Sequence, residues 1–339
     1  MEIDMTCPVC SAAARLTGAI PSFTAVEAAQ HFVLREEDRE RNRKLAEHIA
    51  ALWRSTSCQL AICTKCELCF AWPFVAGDGE FYNLAYPHSD YPMNKWEFSE
   101  TVDALRLLPT KGMRALEIGS GFGYFLEKVS PRFFEAANIM AVEYNDVARK
   151  RLLAKGHKAV GLDIRSSHFD QYQSQFDFVF MFQVLEHMDG LAALAGRLRY
   201  LTKPGASIFL AVPNAARIAF NEEHASLRDM PPNHISRWTP AAFEAFASLI
   251  NCEVSASQLE PMSWRNFLRQ DLVYAHMRRA QRHGTLSNRT RSKPRSGSRR
   301  FLEAVTALSL IPGRLPAWGD AFRRGGQLGG SLWVQLRVR

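Results

Sequence analysis

The sequence predicts an α/β protein organised on a largely parallel sheet. From Arg114 onward, short apolar runs alternate with stretches of helical apolar spacing. The runs are continuous rather than alternating, as in strands covered on both faces. A glycine-rich turn, Gly119 to Gly123, separates the first run from the first helix.

Strands are expected at residues 114–119, 139–144, 158–163, 176–182 and 207–213, with helices at 124–130, 146–155 and 190–201 between them. A further helix follows Thr239-Pro240. Residues 251–257 supply a sixth strand. The terminal SLWVQLRVR supplies a seventh, with Leu332, Val334, Leu336 and Val338 alternating with longer residues. Upstream, residues 1–75 hold two cysteine clusters separated by a helix over 25–56, on which Leu45, Ile49, Leu52 and Trp53 form an apolar stripe. Residues 76–110 are rich in aromatic side chains and end in a helix over 97–108 that Pro109 and Gly112 close.

The 339 residues suffice for two domains and a full core. Ordinary apolar and charged content, 47% and 22%, excludes collagen, coiled coil and wholesale disorder. No apolar stretch approaches the roughly 20 residues of a membrane span. The opening MEIDMTCPVC lacks the basic and apolar regions of a secretory signal, so a cytoplasmic protein with reduced thiols is expected. The net charge of +8 has one source: residues 265–300 carry eleven Arg or Lys against one acid, Asp271, and the rest of the chain is slightly acidic. The centre of that segment, TLSNRTRSKPRSGSRR, is expected as a mobile loop because it offers little apolar surface to bury. Its arginines suit phosphates of RNA or an anionic lipid or glycan surface, or serve only to solubilise. Residues 278–300 contain no aromatic side chain on which bases could stack.

Glu117, Gly119, Gly121 and Gly123 form acid-x-G-x-G-x-G between a strand and a helix. Glycines there let the backbone approach a ligand while helix N–H groups face it, as a nucleotide-type cofactor requires. Glu143 ends the second strand, twenty residues beyond Gly123, where an acid can take both hydroxyls of a ribose, and Asp163 ends the third. A dinucleotide fold would prefer G-x-G-x-x-G. The ordered set resembles the class I S-adenosylmethionine-dependent methyltransferases. FDFVFMFQVLEHM resembles their fourth-strand motif in the small-molecule branch, and LTKPGASIFLAVPN their K-P-G turn and fifth strand.

The resemblance covers roughly residues 110–260 and the terminal strand, and implies a Rossmann-like seven-stranded sheet with helices on both faces. It also implies S-adenosylmethionine as cofactor. Glu117 would then lie near the methionine amino group, the three glycines along the methionine and ribose path, Glu143 at the ribose and Asp163 at the adenine amine. Gln183 and Val184 would line the methionine side, with Glu186 and His187 at the substrate mouth. His187 can equally pack the helix that follows.

The clusters C7-x2-C10 and C63-x2-C66-x2-C69 offer four thiolates to one tetrahedral zinc ion. Cys7, Cys10, Cys63 and Cys66 are the preferred set, because Leu68, Cys69 and Phe70 then begin a strand. Buried cysteines without metal are the alternative. Bacterial small-molecule methyltransferases with an N-terminal zinc segment are similar, carrying glycine after each knuckle where this chain has Ser11 and Glu67. MPPNHISRWTP, residues 230–240, resembles the H-x-x-x-(W/F)-(T/S) element of that group. His234 there suits a general base, or a loop histidine that fixes a lid. Tyr86, Tyr91 and Trp96 either close the cofactor pocket or belong to the contact between modules.

The expected organisation is a zinc module at 1–75, an aromatic bridge at 76–110, a methyltransferase domain at 111–262 plus 329–339, and an Arg-rich insertion at 263–328. The expected activity is methyl transfer to a small-molecule or sugar-type acceptor. The competing expectations are an rRNA methyltransferase that reaches nucleic acid through residues 278–300, and a binding module without turnover.

Overall fold

The computed structural model describes residues 5–17, 23–32, 38–86, 92–130, 132–224, 229–280, 282, 284–291 and 297–339. The chain begins with β1 (Ala14–Leu16), β2 (Phe23–Thr24), α1 (Ala25–Phe32), α2 (Arg39–Trp53), β3 (Ser57–Cys63) and β4 (Cys69–Trp72). The expected helix over 25–56 is thus two helices among the described residues, while Val33 and residues 34–37 lie outside them. Leu45, Ile49 and Trp53 recur every four residues and bury one side of α2, while Glu40, Arg43 and Glu47 pair along its exposed side. β3 pairs antiparallel with β1, β2 and β4.

Next come α3 (Gly79–Ala85), α4 (Trp96–Leu105), β5 (Ala115–Ile118), α5 (Tyr124–Val129), β6 (Ile139–Val142), α6 (Asp146–Ala154), β7 (Lys158–Val160), β8 (Phe176–Phe182), α7 (Leu191–Leu201) and β9 (Thr202–Pro213). The last third holds α8 (Ala215–His224), β10 (Ser236–Arg237), α9 (Pro240–Leu249), β11 (Cys252–Leu259), α10 (Trp264–Ala280), α11 (Leu286–Arg291), α12 (Gly297–Leu308), α13 (Ile311–Arg324) and β12 (Ser331–Val338).

The main sheet is seven-stranded and Rossmann-like, in the order β11-β12-β9-β8-β5-β6-β7. β5 to β9 are parallel, and β12 lies antiparallel between β9 and β11. Its two faces follow from strand alternation. Leu116, Ile118, Val179, Met181, Ile208 and Leu210 face α7 and α9, and Ala115, Phe178, Phe180 and Phe209 face α4 and α5. The helix expected after Thr239-Pro240 is α9, which Thr239 caps, its Oγ1 accepting from the Ala242 N–H at 3.1 Å, with Pro240 in the first turn. Trp333 of β12 donates from Nε1 to Thr101 Oγ1 of α4 at 2.8 Å, which anchors that helix to the sheet.

One face of the cysteine-bearing sheet packs on α1 and α2 through Leu45, Ile49, Trp53, Cys58 and Leu60, and the other face shares the core of the main sheet. Met5, Cys7, Cys63, Cys66, Leu68 and Phe70 pack into the same cluster as Trp238, Phe243 and the sheet face of Leu116 and Val179. Backbone pairing adds to this, because β10 is the edge strand of that sheet, with Ser236 opposite Phe70 and Arg237 opposite Cys69. Arg237, buried, makes a bidentate ion pair with the buried Glu222 of α8.

The Arg-rich segment is not the loop that its composition predicts. Most of its described residues fall in α10, α11 and α12, with residues 281, 283 and 292–296 outside the description. The missing apolar surface comes from elsewhere in the chain: Phe267 packs with Phe220 of α8, Ala317 and Ala321 of α13 and Leu328. Asp271, the segment's one acid, is buried and takes a bidentate ion pair from Arg314 and a 2.7 Å bond from Trp318 Nε1. No described helix is long and apolar enough to cross a membrane.

Removing one member of the buried Arg237–Glu222 pair strands a charge. Arg237→Ala should therefore cost about 3–5 kcal/mol in chemical denaturation, whereas an Arg237→Met/Glu222→Leu double variant should recover most of that loss. A loss below 1 kcal/mol, within the range of exposed pairs, would show the pair to be solvated.

Candidate active site

The carboxyl ends of the parallel strands gather most of the residues singled out in the sequence. After β5 the chain turns through Gly119, Gly121 and Gly123, all at positive φ, with φ of 76°, 53° and 76°. Gly119 and Ser120 donate to the carbonyl of Val142 at 2.8 and 3.2 Å, which folds the turn over the end of β6. A Cβ on Gly119 would meet Val184 Cγ2 at 2.3 Å, so glycine is required there by space as well as by backbone. Val184 thus packs directly on the turn.

Glu117 is buried at the end of β5, and its Oε2 has no hydrogen-bond partner. Burial holds its carboxyl well above the usual range, opposed by the Lys95 ammonium. A buried carboxylate oxygen aimed into the site without a donor fits an ammonium ligand such as the amino group of S-adenosylmethionine. Glu143 is also buried and raised by burial. Gly121 N–H donates to its Oε2 at 2.6 Å and Asn145 N–H to its Oε1 at 2.8 Å, which fixes the carboxylate beside the glycine turn.

Two other predicted residues have different surroundings from those expected. Asp163 is gripped by Arg165, with Nη2 to Oδ2 at 2.6 Å and Nε and backbone N–H both at 2.8 Å from Oδ1, and this lowers its carboxyl. Arg165 also donates to the carbonyl of Asp189 at 2.9 Å, and Asp189 Oδ2 accepts from the Ala76 N–H at 3.1 Å. Gln183, at φ 59°, turns its amide to Glu97 Oε1 and Ser331 Oγ at 3.1 and 3.3 Å, toward α4 and β12. Trp96 packs beside Phe98 in the α4 core, and Tyr86 lies against Phe32 and Tyr82. Tyr91 lies outside the described residues.

On the acceptor side, the loop 229–235 lies across the end of β8. Ile235 N–H donates to the carbonyl of Glu186 at 2.8 Å, and the rings of His187 and His234 meet edge to face at 4.6 Å. His187 Nδ1 lies 2.6 Å from the carbonyl of Asn233 and 3.1 Å from the Tyr82 hydroxyl. A carbonyl only accepts, so Nδ1 carries the proton and Nε2 the lone pair. Burial, and then the neighbouring His234, push His187 down to about 3, so it is neutral at working pH. His234 Nδ1 lies 2.9 Å from Asp229 Oδ1, which sets a carboxylate beside the imidazole. Glu186 is only 1% exposed and neither of its oxygens has a hydrogen-bond partner. Burial raises it to about 7, opposed by His234.

The four thiols of Cys7, Cys10, Cys63 and Cys66 converge at the base of β1 and β3, all within 4.8 Å of one another. Cys7 and Cys66 sulfurs are 3.6 Å apart, and those of Cys10 and Cys63 3.5 Å. A zinc ion with bonds of about 2.3 Å sets tetrahedral sulfurs about 3.8 Å apart, so the donor set fits that ion. The N–H groups of Lys65 and Cys66 point at Cys63 Sγ, each at 3.3 Å. Burial opposes ionisation of Cys63, yet these donors bring it down to about 7, while burial carries Cys7 up to about 11. Ser11 and Glu67, in place of the expected glycines, have φ of 57° and 61°, so each knuckle keeps the left-handed turn without the residue that favours it. Cys69 lies on β4, outside the cluster.

Residues 93–257 match the model of a methyltransferase domain family. The chain contains a class I methyltransferase domain. Curated relatives include ubiquinone biosynthesis O-methyltransferases of Bradyrhizobium sp. (strain ORS 278), 24% identical over 45% of this chain and 58% of that one, and of Rhodopseudomonas palustris (strain BisB5), 28% identical over 38% and 49%. The chain thus spans about half the length of the curated relatives it matches. Among solved structures, an S-adenosylmethionine-dependent methyltransferase from Mesorhizobium loti aligns with TM-score 0.45 and 11% identity, over 73% of this chain and 100% of that one. Phosphoethanolamine N-methyltransferase 2 of Haemonchus contortus aligns with TM-score 0.45 and 15% identity, over 72% and 52%. The matched segment of the methyltransferase domain contains the glycine turn, Glu143, Glu186, His187 and His234, and it ends before the helical insertion and β12.

Glu186 supplies a stability signature of this site. Below pH 4.5 its carboxyl is protonated in the folded and the unfolded chain alike. Between 4.5 and about 7 the unfolded chain ionises while the folded one keeps the proton, so stability falls as pH rises through that window. Glu186→Gln should remove its share of this slope, which Glu222 also contributes to, and leave the ligand-free protein about 1–3 kcal/mol more stable near pH 8, read from denaturation midpoints. Parallel pH profiles of variant and wild type would show Glu186 to be solvated.

Proposed function

We propose that the protein transfers a methyl group from S-adenosylmethionine to a hydroxyl of a small-molecule or sugar-type acceptor, with His234 as the general base. The observation that carries this reading is the convergence, at the carboxyl end of one sheet, of the buried acid Glu117, whose Oε2 lacks a hydrogen-bond partner, with the Asp229–His234–His187 group. The family match of residues 93–257 supports the cofactor, and the O-methyltransferase relatives support a hydroxyl acceptor. When bound, S-adenosylmethionine supplies a methyl activated by its sulfonium, so positioning does most of the remaining work.

In this reading Glu117 accepts the amino group of the cofactor. Glu143, held by the Gly121 and Asn145 N–H groups, retains lone pairs for the ribose hydroxyls. Arg165 fixes Asp163 at the adenine end through its bidentate grip. His234 takes the acceptor's hydroxyl proton at Nε2, and Asp229 stabilises the imidazolium formed. His187, held near 3, is too weak a base to share that role, and its Nε2 accepts a hydrogen bond from the acceptor and orients it.

Two variants separate the roles. Glu143→Ala should weaken cofactor binding by about 1.5–3 kcal/mol in titration calorimetry. His234→Ala should leave that affinity intact and lower turnover of labelled methyl into a small-molecule extract by roughly 10²–10⁴-fold. Unchanged turnover in the second variant would leave His234 a loop residue.

We infer further that the four thiolates hold a structural zinc ion, which closes all four ligand positions and takes no part in the chemistry. Elemental analysis should find about one zinc per chain, and chelation should destabilise the cysteine-bearing sheet before the main one. Metal-free protein of undiminished stability would rule the ion out.

A further inference from the structure

We propose that the helical insertion between β11 and β12 is a docking surface for the anionic face of a lipid bilayer. The first observation is apolar exposure. On α12, Phe301, Ala304, Val305 and Leu308 fall at helical spacing on one face, and that face is solvent-exposed, with Phe301 at 69% and Leu308 at 56%. On α13, which follows after Ser309 and Leu310, Leu315 is 57% and Phe322 75% exposed. The Phe322 ring lies 5.7 Å from that of the exposed Trp264. Single exposed apolar residues are ordinary, but periodic stripes on two successive helices are not.

The second observation is charge. Arg265, Arg269, Arg278 and Arg279 of α10, Arg282 in the link after it and Arg300 of α12 are exposed within the same insertion. The acids of residues 261–324 are Asp271, Glu303 and Asp320. Each is already neutralised within the fold: Asp271 by Arg314, Glu303 by Arg299 at 2.9 Å, and Asp320 by Arg324 at 2.9 Å. The outward charge is therefore almost purely positive. Apolar side chains that enter the acyl boundary, ringed by arginines that meet lipid phosphates, are what an interfacial helix presents to an anionic bilayer.

The other occupants fit less well. A second copy of the same face would set arginines against arginines, and an RNA would leave Val305, Leu308 and Leu315 without a role. The insertion packs through Phe267, Ala317 and Ala321 on α8, directly after β9 at the end of the sheet where His187 and His234 lie. Docking would thus hold the acceptor mouth near the bilayer surface.

Vesicle flotation of the full-length protein tests this without reference to methyl transfer. Vesicles of phosphatidylcholine mixed with phosphatidylglycerol should carry the protein upward, those of phosphatidylcholine alone should carry little, and raised salt should release it. Phe301→Glu with Phe322→Glu should lower binding about tenfold or more, as should Arg278→Glu with Arg279→Glu, with melting temperatures near wild type because all four side chains are exposed. Absence of binding to the anionic vesicles, equal binding to neutral ones, or wild-type binding by both double variants would overturn the proposal. So would RNA displacing the protein from vesicles through the same arginines with no effect of the phenylalanine changes.

Discussion

A two-residue strand holds the two sides of this active site together. Ser236 and Arg237 close the edge of the cysteine-bearing sheet, and the residue before them, Ile235, takes its backbone bonds from both sides. Its N–H donates to the carbonyl of Glu186 just after β8, and its carbonyl accepts from the Ala71 N–H of β4, each at 2.8 Å. His234 is the next residue back, so its distance from His187 is set by this stitch rather than by its own loop. So short a strand has little stability of its own. It is secured by burial of Trp238, by the Arg237–Glu222 pair and by the shared core that runs from Cys63 and Leu68 to Phe243. The thiol cluster is joined to the proposed site through this geometry: Cys63 and Cys66 flank the turn into β4, and β4 pairs with β10, two residues after His234.

The energetics of the site follow from what is left unpaired. Glu117 and Glu186 are buried carboxyls with oxygens that have no hydrogen-bond partner, an expensive condition that a fold selected for stability alone would remove with an apolar residue. Gln183 adds a strained φ of 59° at the strand end between them. Two buried acids elsewhere among the described residues, Asp271 and Glu222, are compensated by arginines. Asp271 has Arg314 and Trp318, and Arg237 has Glu222. The contrast supports the proposed site on physical cost: Asp271 and Glu222 are paired where they hold the fold, while Glu117 and Glu186 keep oxygens that a bound ligand would satisfy.

Much of the catalytic sheet was legible in the sequence because its signals are local. A buried parallel strand is a short apolar run, and the glycine turn needs its residues at fixed spacing, so β5 to β9, β11 and β12 lie within a few residues of their expected places. The thiol set was legible for the same reason, since each C-x2-C pair is complete in four residues. What remained hidden depends on partners far along the chain. Asp229 behind His234 and Arg165 across Asp163 are ordinary loop charges until the fold brings them to their partners. The roles of Ser11 and Glu67 were hidden too, because a left-handed residue other than glycine leaves no mark in composition.

The insertion shows why composition misleads when charge is high. A segment with eleven basic residues reads as unable to fold, since nothing within it buries enough apolar surface. The fold solves this by borrowing: Phe220 comes from α8, Ala317 and Ala321 from a helix beyond the segment, and one internal acid, Asp271, is spent on Arg314 rather than on the local arginines. Turned inward, that acid cannot dilute the positive surface outside, and the apolar residues left over at Phe301, Val305 and Leu308 have no internal surface to cover. Stability and surface character are thus set by the same few choices. The residues that make these helices fold are the ones that leave their outer face cationic and apolar.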